Sequence, residues 1–237
     1  MTSQDVHLHI GMLIYPRVDQ IDFTGPFEVF SSLPNATVHV LWKDKTPLRD
    51  IRGLVLTAQT ALDEAPALDV LHVPGGYGQQ ALMDDEVVLS LIRRQMESGR
   101  YVFSVCTGAL LCGAAGILRG RRATAHWTVV DLLPYFGATY GNARVVVDGN
   151  LVSSAGVTAG IDGALTMAAL LRGDETAEKI QLAMEYAPQP PFQSGTPETA
   201  PADVLEAVVA QGLRMKDARL ATARQVAARL GIDVRSV

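Results

Sequence analysis

Tyr101-Val-Phe-Ser-Val-Cys106-Thr-Gly-Ala-Leu-Leu111 is a short apolar run that stops at a cysteine and passes at once into a small-residue helical pattern. Read as a strand, Tyr101 to Val105 ends where a helix from Thr107 to Ala115 begins. The thiol then sits at the apex of a strand-to-helix turn. Such a turn exposes a nucleophile and aims helix N-terminal N–H groups at it. A cysteine inside a strand or helix is normally packing, whereas one at this junction is a candidate catalyst. Cys112, between Leu111 and Gly113 inside the same helix, has no such geometry and reads as packing.

Outward from this turn, strand-like and helix-like segments alternate. His7 to Tyr15, Thr37 to Trp42 and Asp69 to Val73 read as strands, and Leu54 to Thr57 as a further strand at an edge. Phe27 to Ser32 reads as a short helix, with Thr24 as its cap and Pro26 near its start. Asp84 to Ser98 carries Val87, Val88, Leu91, Ile92 and Met96 at helical spacing, and Gly99 stops it. Arg122 to Ala125 reads as a short strand and Thr128 to Tyr135 as a helix. Val145 to Ser153 reads as a hairpin turned by Asp148-Gly149-Asn150. Thr158 is placed to cap a helix to about Leu171, and a second helix spans Asp174 to Tyr186. This alternation predicts an α/β sandwich on a largely parallel sheet. Sites on such sheets form at the carboxyl ends of strands. Three segments fall there: the stretch after Tyr15, Pro74-Gly75-Gly76, and Cys106.

The 237 residues, 48% of them hydrophobic, can bury a sizeable core. A net charge of -5 gives no electrostatic case for nucleic acid or an anionic membrane surface. Two close cysteines make neither a disulfide framework nor a metal-ligand pattern, and the sequence offers no site for a metal or an organic cofactor. Met1 to His7 has no basic-then-apolar leader, and no uncharged run is long enough to span a bilayer. The expectation is a soluble cytoplasmic protein. Five prolines between Ala187 and Pro201 suggest an extended arm. Ala202 to Leu230 reads as an amphipathic helix, with Val204, Leu205, Val208 and Val209 on one side. Basic Arg214, Lys216, Arg219, Arg224 and Arg229 lie along it. A solvated helix packed on the domain or on a partner subunit is a simpler reading than a DNA or membrane helix. The expected division is residues 1–201 as one domain with its arm and 202–237 as a helical extension.

Several other residues carry candidate chemistry. Asp22 lies between Ile21 and Phe23, an odd place for a carboxylate without a partner. At the end of the first strand region it can face Cys106. Burial and like charge would raise its pKa and let it exchange a proton with substrate or water. Asp19 is the rival carboxylate. The thiol acts as thiolate, and the helix at Thr107 would favour that anion. Thr107 also offers its own N–H and hydroxyl beside the sulfur. Gly75 and Gly76 permit close backbone approach, and their N–H groups are candidates for an anion hole. Pro74-Gly-Gly-Tyr-Gly78 lacks the spacing of a dinucleotide fingerprint. His126 is a possible base, equally readable as a structural histidine. His7, His9, His39 and His72 alternate with apolar residues and show no ligand spacing. Phe23, Tyr77, Trp127 and Val157 are candidates to line an apolar substrate pocket or to fill core.

Together Ile21-Asp-Phe-Thr-Gly-Pro26, Val73-Pro-Gly-Gly76, Ser104-Val-Cys-Thr-Gly108, Ala123-Thr-Ala-His-Trp127 and Thr158-Ala-Gly-Ile-Asp162 resemble the PfpI-type superfamily. The resemblance runs from Val6 to about Pro201. It implies a flavodoxin-like, class I glutamine-amidotransferase-like three-layer sandwich with a mainly parallel sheet and a nucleophile elbow. Peptidases, glyoxalases, chaperone-like proteins and regulators share these motifs, so they mark fold more than reaction. Two departures narrow the field. The acidic position is Asp22 where many members carry glutamate, and Thr107 stands where peptidase-like members commonly have histidine. In both respects, and along the proline-rich arm, the chain is similar to the bacterial isocyanide hydratases. That resemblance implies hydration of an isocyanide to an N-substituted formamide through a Cys106 thioimidate, with Asp22 exchanging protons and Thr107 orienting both groups. It also implies a homodimer. Rival readings are a glyoxalase- or deglycase-like enzyme, a cysteine redox sensor, and a ligand-sensing regulator. The residues after Pro201 are too few for the two helix-turn-helix units of an AraC-type domain.

Overall fold

The computed structural model describes residues 6–234. Residues 1–5, part of the stretch on which the absence of a leader is read, lie outside the described residues, as does the side chain of Arg214. In chain order the elements are β1 (Leu8–Leu13), α1 (Gln20–Ser31), β2 (Ala36–Trp42), β3 (Leu48–Arg49), β4 (Val55–Leu56), β5 (Thr60–Ala61) and β6 (Val70–Val73). There follow α2 (Gln79–Leu82), α3 (Glu86–Ser98), β7 (Tyr101–Val105), α4 (Gly108–Ala114) and β8 (Arg122–Ala123). A 3-10 helix (Trp127–Phe136) leads to β9 (Thr139–Tyr140), β10 (Val145–Asp148) and β11 (Leu151–Ser154). Three helices close the chain: α5 (Ala159–Arg172), α6 (Asp174–Ala183) and α7 (Ala202–Leu230).

Seven strands form one sheet in the order β10-β11-β7-β6-β1-β2-β5. All its pairings are parallel except the β10–β11 hairpin at the edge, where Asp148 faces Leu151. The two-residue loop Gly149-Asn150 closes that hairpin, with Gly149 at a positive φ of 60°. Strands β6 and β7 are mainly apolar, with His72 and Ser104 as buried polar exceptions, and almost wholly buried, as a central parallel strand requires. Helices α1, α5 and α6 pack together on one side of the sheet. Helices α3 and α4, the 3-10 helix and α7 form the layer on the other side. The result is the three-layer α/β sandwich, with β1, β6 and β7 adjacent at its centre.

Three local readings change. Helix α1 begins at Gln20, seven residues before Phe27, because Asp19 rather than Thr24 caps it, accepting from the Ile21 N–H at 3.2 Å. Pro26 is therefore inside the helix. Val55–Leu56 pairs with β3 in a separate small sheet rather than at the edge of the main one. Thr158 precedes α5 without capping it, and its hydroxyl instead accepts from Arg144 at 3.1 Å. The valines of α7 also behave differently from a buried stripe. Val204, Val208 and Val209 are exposed, while Arg219, Thr222, Ala223, Val226 and Ala227 in the second half are buried.

The turn after β7 is built around Gly108. A Cβ there would lie 2.1 Å from the Val73 carbonyl oxygen and 2.8 Å from that of Pro74. Both are backbone atoms held in the β6 end, so neither can swing away. Gly108→Ala should therefore lower unfolding free energy by about 2 kcal/mol or more, read by denaturant melting. An unchanged midpoint would mean that the β6 and β7 ends are not locked together here.

Candidate active site

Cys106 follows the last residue of β7 and has φ 59°, a left-handed conformation that non-glycine residues adopt at a cost. The backbone is held there from several sides. The Cys106 N–H donates to the carbonyls of Ala155 at 2.8 Å and Ser154 at 3.1 Å, and the His126 N–H donates to the Cys106 carbonyl at 3.4 Å. This is the sharp elbow read from the sequence, with the thiol turned into a cleft and the residue only 6% exposed.

Asp22, in the first turn of α1, is wholly buried. Its Oδ2 accepts from the Gly75 N–H at 2.8 Å. Its carboxyl also faces the Cys106 thiol closely enough for each group to act on the other's proton. Oδ1 makes no hydrogen bond. Burial, reinforced by the nearby Asp19 carboxylate, raises the Asp22 pKa to about 8. Burial and then Asp22 push the Cys106 thiol well above its ordinary range, against the Thr107 N–H, which favours the thiolate. The expectation of a thiolate made ready by the helix is thus not met in the resting site. Desolvation and the facing carboxyl outweigh a helix of seven residues. The thiol and carboxyl form a coupled pair that resists holding two negative charges.

Gly75 and Gly76 lie at the end of β6, beside Thr107. The Gly75 N–H is spent on Asp22, and the Gly76 N–H donates to the Thr107 Oγ1 at 3.1 Å. Neither donor is open to a substrate anion in this state. The glycines act by closeness instead. A Cβ on Gly75 would stand 2.6 Å from Asp22 Oδ2 and 2.7 Å from both the Thr107 nitrogen and Oγ1. Gly76 has φ 127°, in the region only glycine takes readily. Tyr15, after β1, donates to the Pro74 carbonyl at 2.7 Å and ties the third strand end to the same spot.

A cleft of about 230 Å³ opens over the thiol, walled by Asp19, Gly76, Tyr77, Cys106, Thr107 and His126. Val157 and Arg52 also line it, and α7 adds Val208, Gln211, Met215 and Arg219. Of the four pocket candidates, Tyr77 and Val157 face this cleft. Phe23 packs in the core, its ring 5.5 Å from that of Phe27. Trp127 lines the neighbouring hollow beneath α7. His126 shares the cleft with Cys106, but its Nδ1 is engaged locally, 2.7 Å from the Thr128 hydroxyl and accepting from the Thr128 N–H at 3.3 Å. Burial, then the Arg219 charge, lowers its pKa to about 4, so it is a neutral cap rather than a base paired with the thiol. Burial raises Cys112 to about 12, in keeping with packing. Among the described residues no group of three or more His, Cys, Asp or Glu is arranged to hold a metal ion. No helix of the described residues is long and apolar enough to cross a membrane.

The sequence reading did not reach the α7 contribution. A signal was present: Arg219, Ala223, Val226, Ala227 and Leu230 follow helical spacing, so the arginine belongs to the inward face.

The sequence profile of the DJ-1/PfpI family matches residues 9–170, which hold the main sheet, all but Leu8 of β1, together with Asp22, Gly75 and Cys106. The chain belongs to the DJ-1/PfpI family. Within the family it is 53% identical over 199 residues to the isonitrile hydratase of Pseudomonas putida, covering 84% of this chain and 87% of that one. It is 35% identical over 104 residues to a deglycase of Thermococcus kodakarensis, covering 43% of this chain and 63% of that one. The crystal structure of a ThiJ/PfpI family protein from Pseudomonas syringae superposes with a TM-score of 0.89 at 39% identity, covering 92% of this chain and 91% of that one.

Two expectations follow for this DJ-1/PfpI site. Gly75→Ala should abolish turnover while the protein remains folded, because the added carbon displaces the carboxyl and Thr107 together; retained activity with a normal circular dichroism spectrum would contradict the close approach. The second concerns stability. Asp22 takes its proton near pH 8 when folded and near 3.8 when unfolded. Its favourable contribution is complete below about pH 3.8 and is lost as pH rises to about 8. Asp22→Asn should therefore melt at a higher temperature than wild type at pH 8, with the difference shrinking towards pH 4.

Proposed function

We propose that this protein is an isocyanide hydratase, converting R–N≡C and water to an N-substituted formamide, with Cys106 as nucleophile and Asp22 as proton carrier. The observation that carries the reading is a buried thiol facing a buried carboxyl at the elbow, in a chain 53% identical to an isonitrile hydratase. A terminal isocyanide carbon accepts a soft nucleophile and a proton on the same atom. That demand matches a thiol and carboxyl sharing one exchangeable proton.

The reactive form is the pair with one negative charge, thiolate and carboxylic acid. Sulfur forms a bond to the terminal carbon while the Asp22 proton goes to that carbon. The product is a thioimidate, R–N=CH–S–Cys106, beside an Asp22 carboxylate. The carboxylate takes a proton from water as the water oxygen bonds to the same carbon, and that proton passes to nitrogen. The carbon–sulfur bond then breaks, sulfur leaves as thiolate, and the O–H proton returns to Asp22 as the formamide carbonyl forms. The charge of the pair stays at minus one throughout, so the dry site never accommodates a second anion. Gly75 fixes the carboxyl by its N–H, and Thr107 directs its own N–H to the sulfur and its hydroxyl to Gly76.

The deglycase-like alternative rests on the shared fold and cysteine. Asp22 and Thr107 at the two diagnostic positions favour the hydratase. The working unit on this reading is a cytoplasmic homodimer. Two unpaired cysteines suit a reducing compartment. Exposed Leu182 on α6 and Phe192 in the arm, with Val204 and Val209 on α7, suit a subunit contact. The 1–201 domain supplies the chemistry, and α7 of the 202–237 extension covers its cleft.

The infrared isocyanide stretch of an alkyl or aryl isocyanide mixed with enzyme reads the reaction directly. Wild type should remove the band with formamide appearing, and Cys106→Ala should leave it. Asp22→Asn should slow turnover by about 100-fold or more, because thioimidate formation and its hydrolysis both draw on the carboxyl. With the first proton leaving the pair near pH 8, kcat/KM should rise from pH 6 and level off above about 8. Methylglyoxal consumed in preference to every isocyanide tried would replace this reading with the deglycase-like one.

A further inference from the structure

Arg219 is a buried cation without a counter-ion among the described residues. It lies on α7, 6% exposed, in the wall of the cleft that holds Cys106. Its Nε makes no hydrogen bond. No ion pair formed among the described residues uses its guanidinium. Burial lowers its pKa, with the Cys106, Tyr77 and Tyr15 side chains opposing that shift when charged. An arginine still carries its charge under such pressure, and a buried unpaired charge is expensive.

The position is not an accident of a loose helix. Gln80 Nε2 donates to Thr222 Oγ1 at 2.7 Å, one turn from Arg219. Arg229 donates to the Ala114 carbonyl at 2.9 Å, and Ala223, Val226 and Ala227 are buried beneath the same face. These contacts press the second half of α7 onto the domain and carry the guanidinium inward. The nearby carboxylate, Asp19, is occupied otherwise: it accepts from Ile21 at 3.2 Å, and the charge it feels most from a cation is that of Arg52. The Cys106 thiol is no counter-ion either, because it remains protonated in the resting site. The Arg52 side chain adds a second positive charge to the cleft wall.

We infer that Arg219 binds a carboxylate on the substrate, so that the preferred isocyanides are ω-isocyano carboxylates rather than neutral hydrocarbons. The inference rests on the hydratase reading and names its substrate class. With the guanidinium on the α7 wall and the thiol on the elbow, the carboxylate end lies under α7 and the isocyanide carbon meets the sulfur. Tyr77, Val157 and Met215 provide apolar surface for the methylenes between them. A guanidinium takes a carboxylate through two parallel N–H donors, which orients the substrate as well as holding it.

The test uses 4-isocyanobutanoate and its neutral isostere 4-isocyanobutanamide, with cyclohexyl isocyanide as a third substrate. Wild type should prefer the acid over the amide by at least about tenfold in kcat/KM. In Arg219→Gln that preference should collapse, the acid losing about tenfold more than the amide, and Arg219→Lys should restore part of it. Calorimetry on Cys106→Ala protein reads binding of the same acid and amide without turnover. Equal kcat/KM for acid and amide in wild type, or equal losses for both in Arg219→Gln, would overturn the carboxylate subsite while leaving the hydratase reading in place. Failure to turn over any of the three, with tighter binding of the acid that is lost when Arg219→Gln is added, would remove the hydratase reading and retain the anion subsite. No turnover and no such binding difference would remove both.

Discussion

The hydrogen bond from the Gly75 N–H to the Asp22 carboxyl joins two elements that arrive from different parts of the chain, and the site depends on it. Asp22 has no cation beside it and no water-exposed edge. Without that donor its carboxyl would depend on the Cys106 thiol for its polar contact. The donor is available only because the strand end at Pro74-Gly75-Gly76 passes within contact of both α1 and the elbow, which residues without a side chain allow. Tyr15 reinforces the arrangement by bonding the Pro74 carbonyl from the end of β1. Three neighbouring strand ends thus converge, and the carboxyl's acidity is set by that convergence. A site looser by an ångström would admit water, lower the Asp22 pKa and separate the proton from the sulfur.

Much of the fold was legible because parallel strands buried on both faces read as apolar runs. Val70–Val73 and Tyr101–Val105 could not be mistaken for surface segments, and the cysteine at the end of the second run marked the elbow. The start of α1 was harder. Pro26 resembles a first-turn proline, and only the tertiary packing that buries Asp22 shows that the helix begins at Gln20. The protonation of Cys106 departs from its sequence context for a related reason. Sequence places Cys106 at a helix start, whose effect lowers its pKa, but burial is a property of the assembled site and acts more strongly in the opposite direction. The glycine pair was recognised as a place of close approach. What approaches, a carboxyl and a threonine hydroxyl, depends on contacts 31 to 53 residues apart in sequence.

The strained Cys106 backbone and the buried proton pair serve one chemical end. A thiol that rests protonated is slow to react with passing oxidants and electrophiles, because the thiolate is the reactive form. On the proposed mechanism, reactivity appears when a substrate carbon lies between sulfur and carboxyl and can receive both an electron pair and a proton. Selectivity for isocyanides on this account is electronic at the elbow.

The wall opposite the elbow comes from α7, beyond residues 9–170 that carry the family signature. Core and cover are therefore separate parts of the chain. The sheet and its turn can be kept unchanged to preserve the bond-making chemistry, while substitutions along one face of a terminal helix redraw which molecules reach it. Comparisons confined to the sheet leave out the residues with which α7 walls the cleft of this chain.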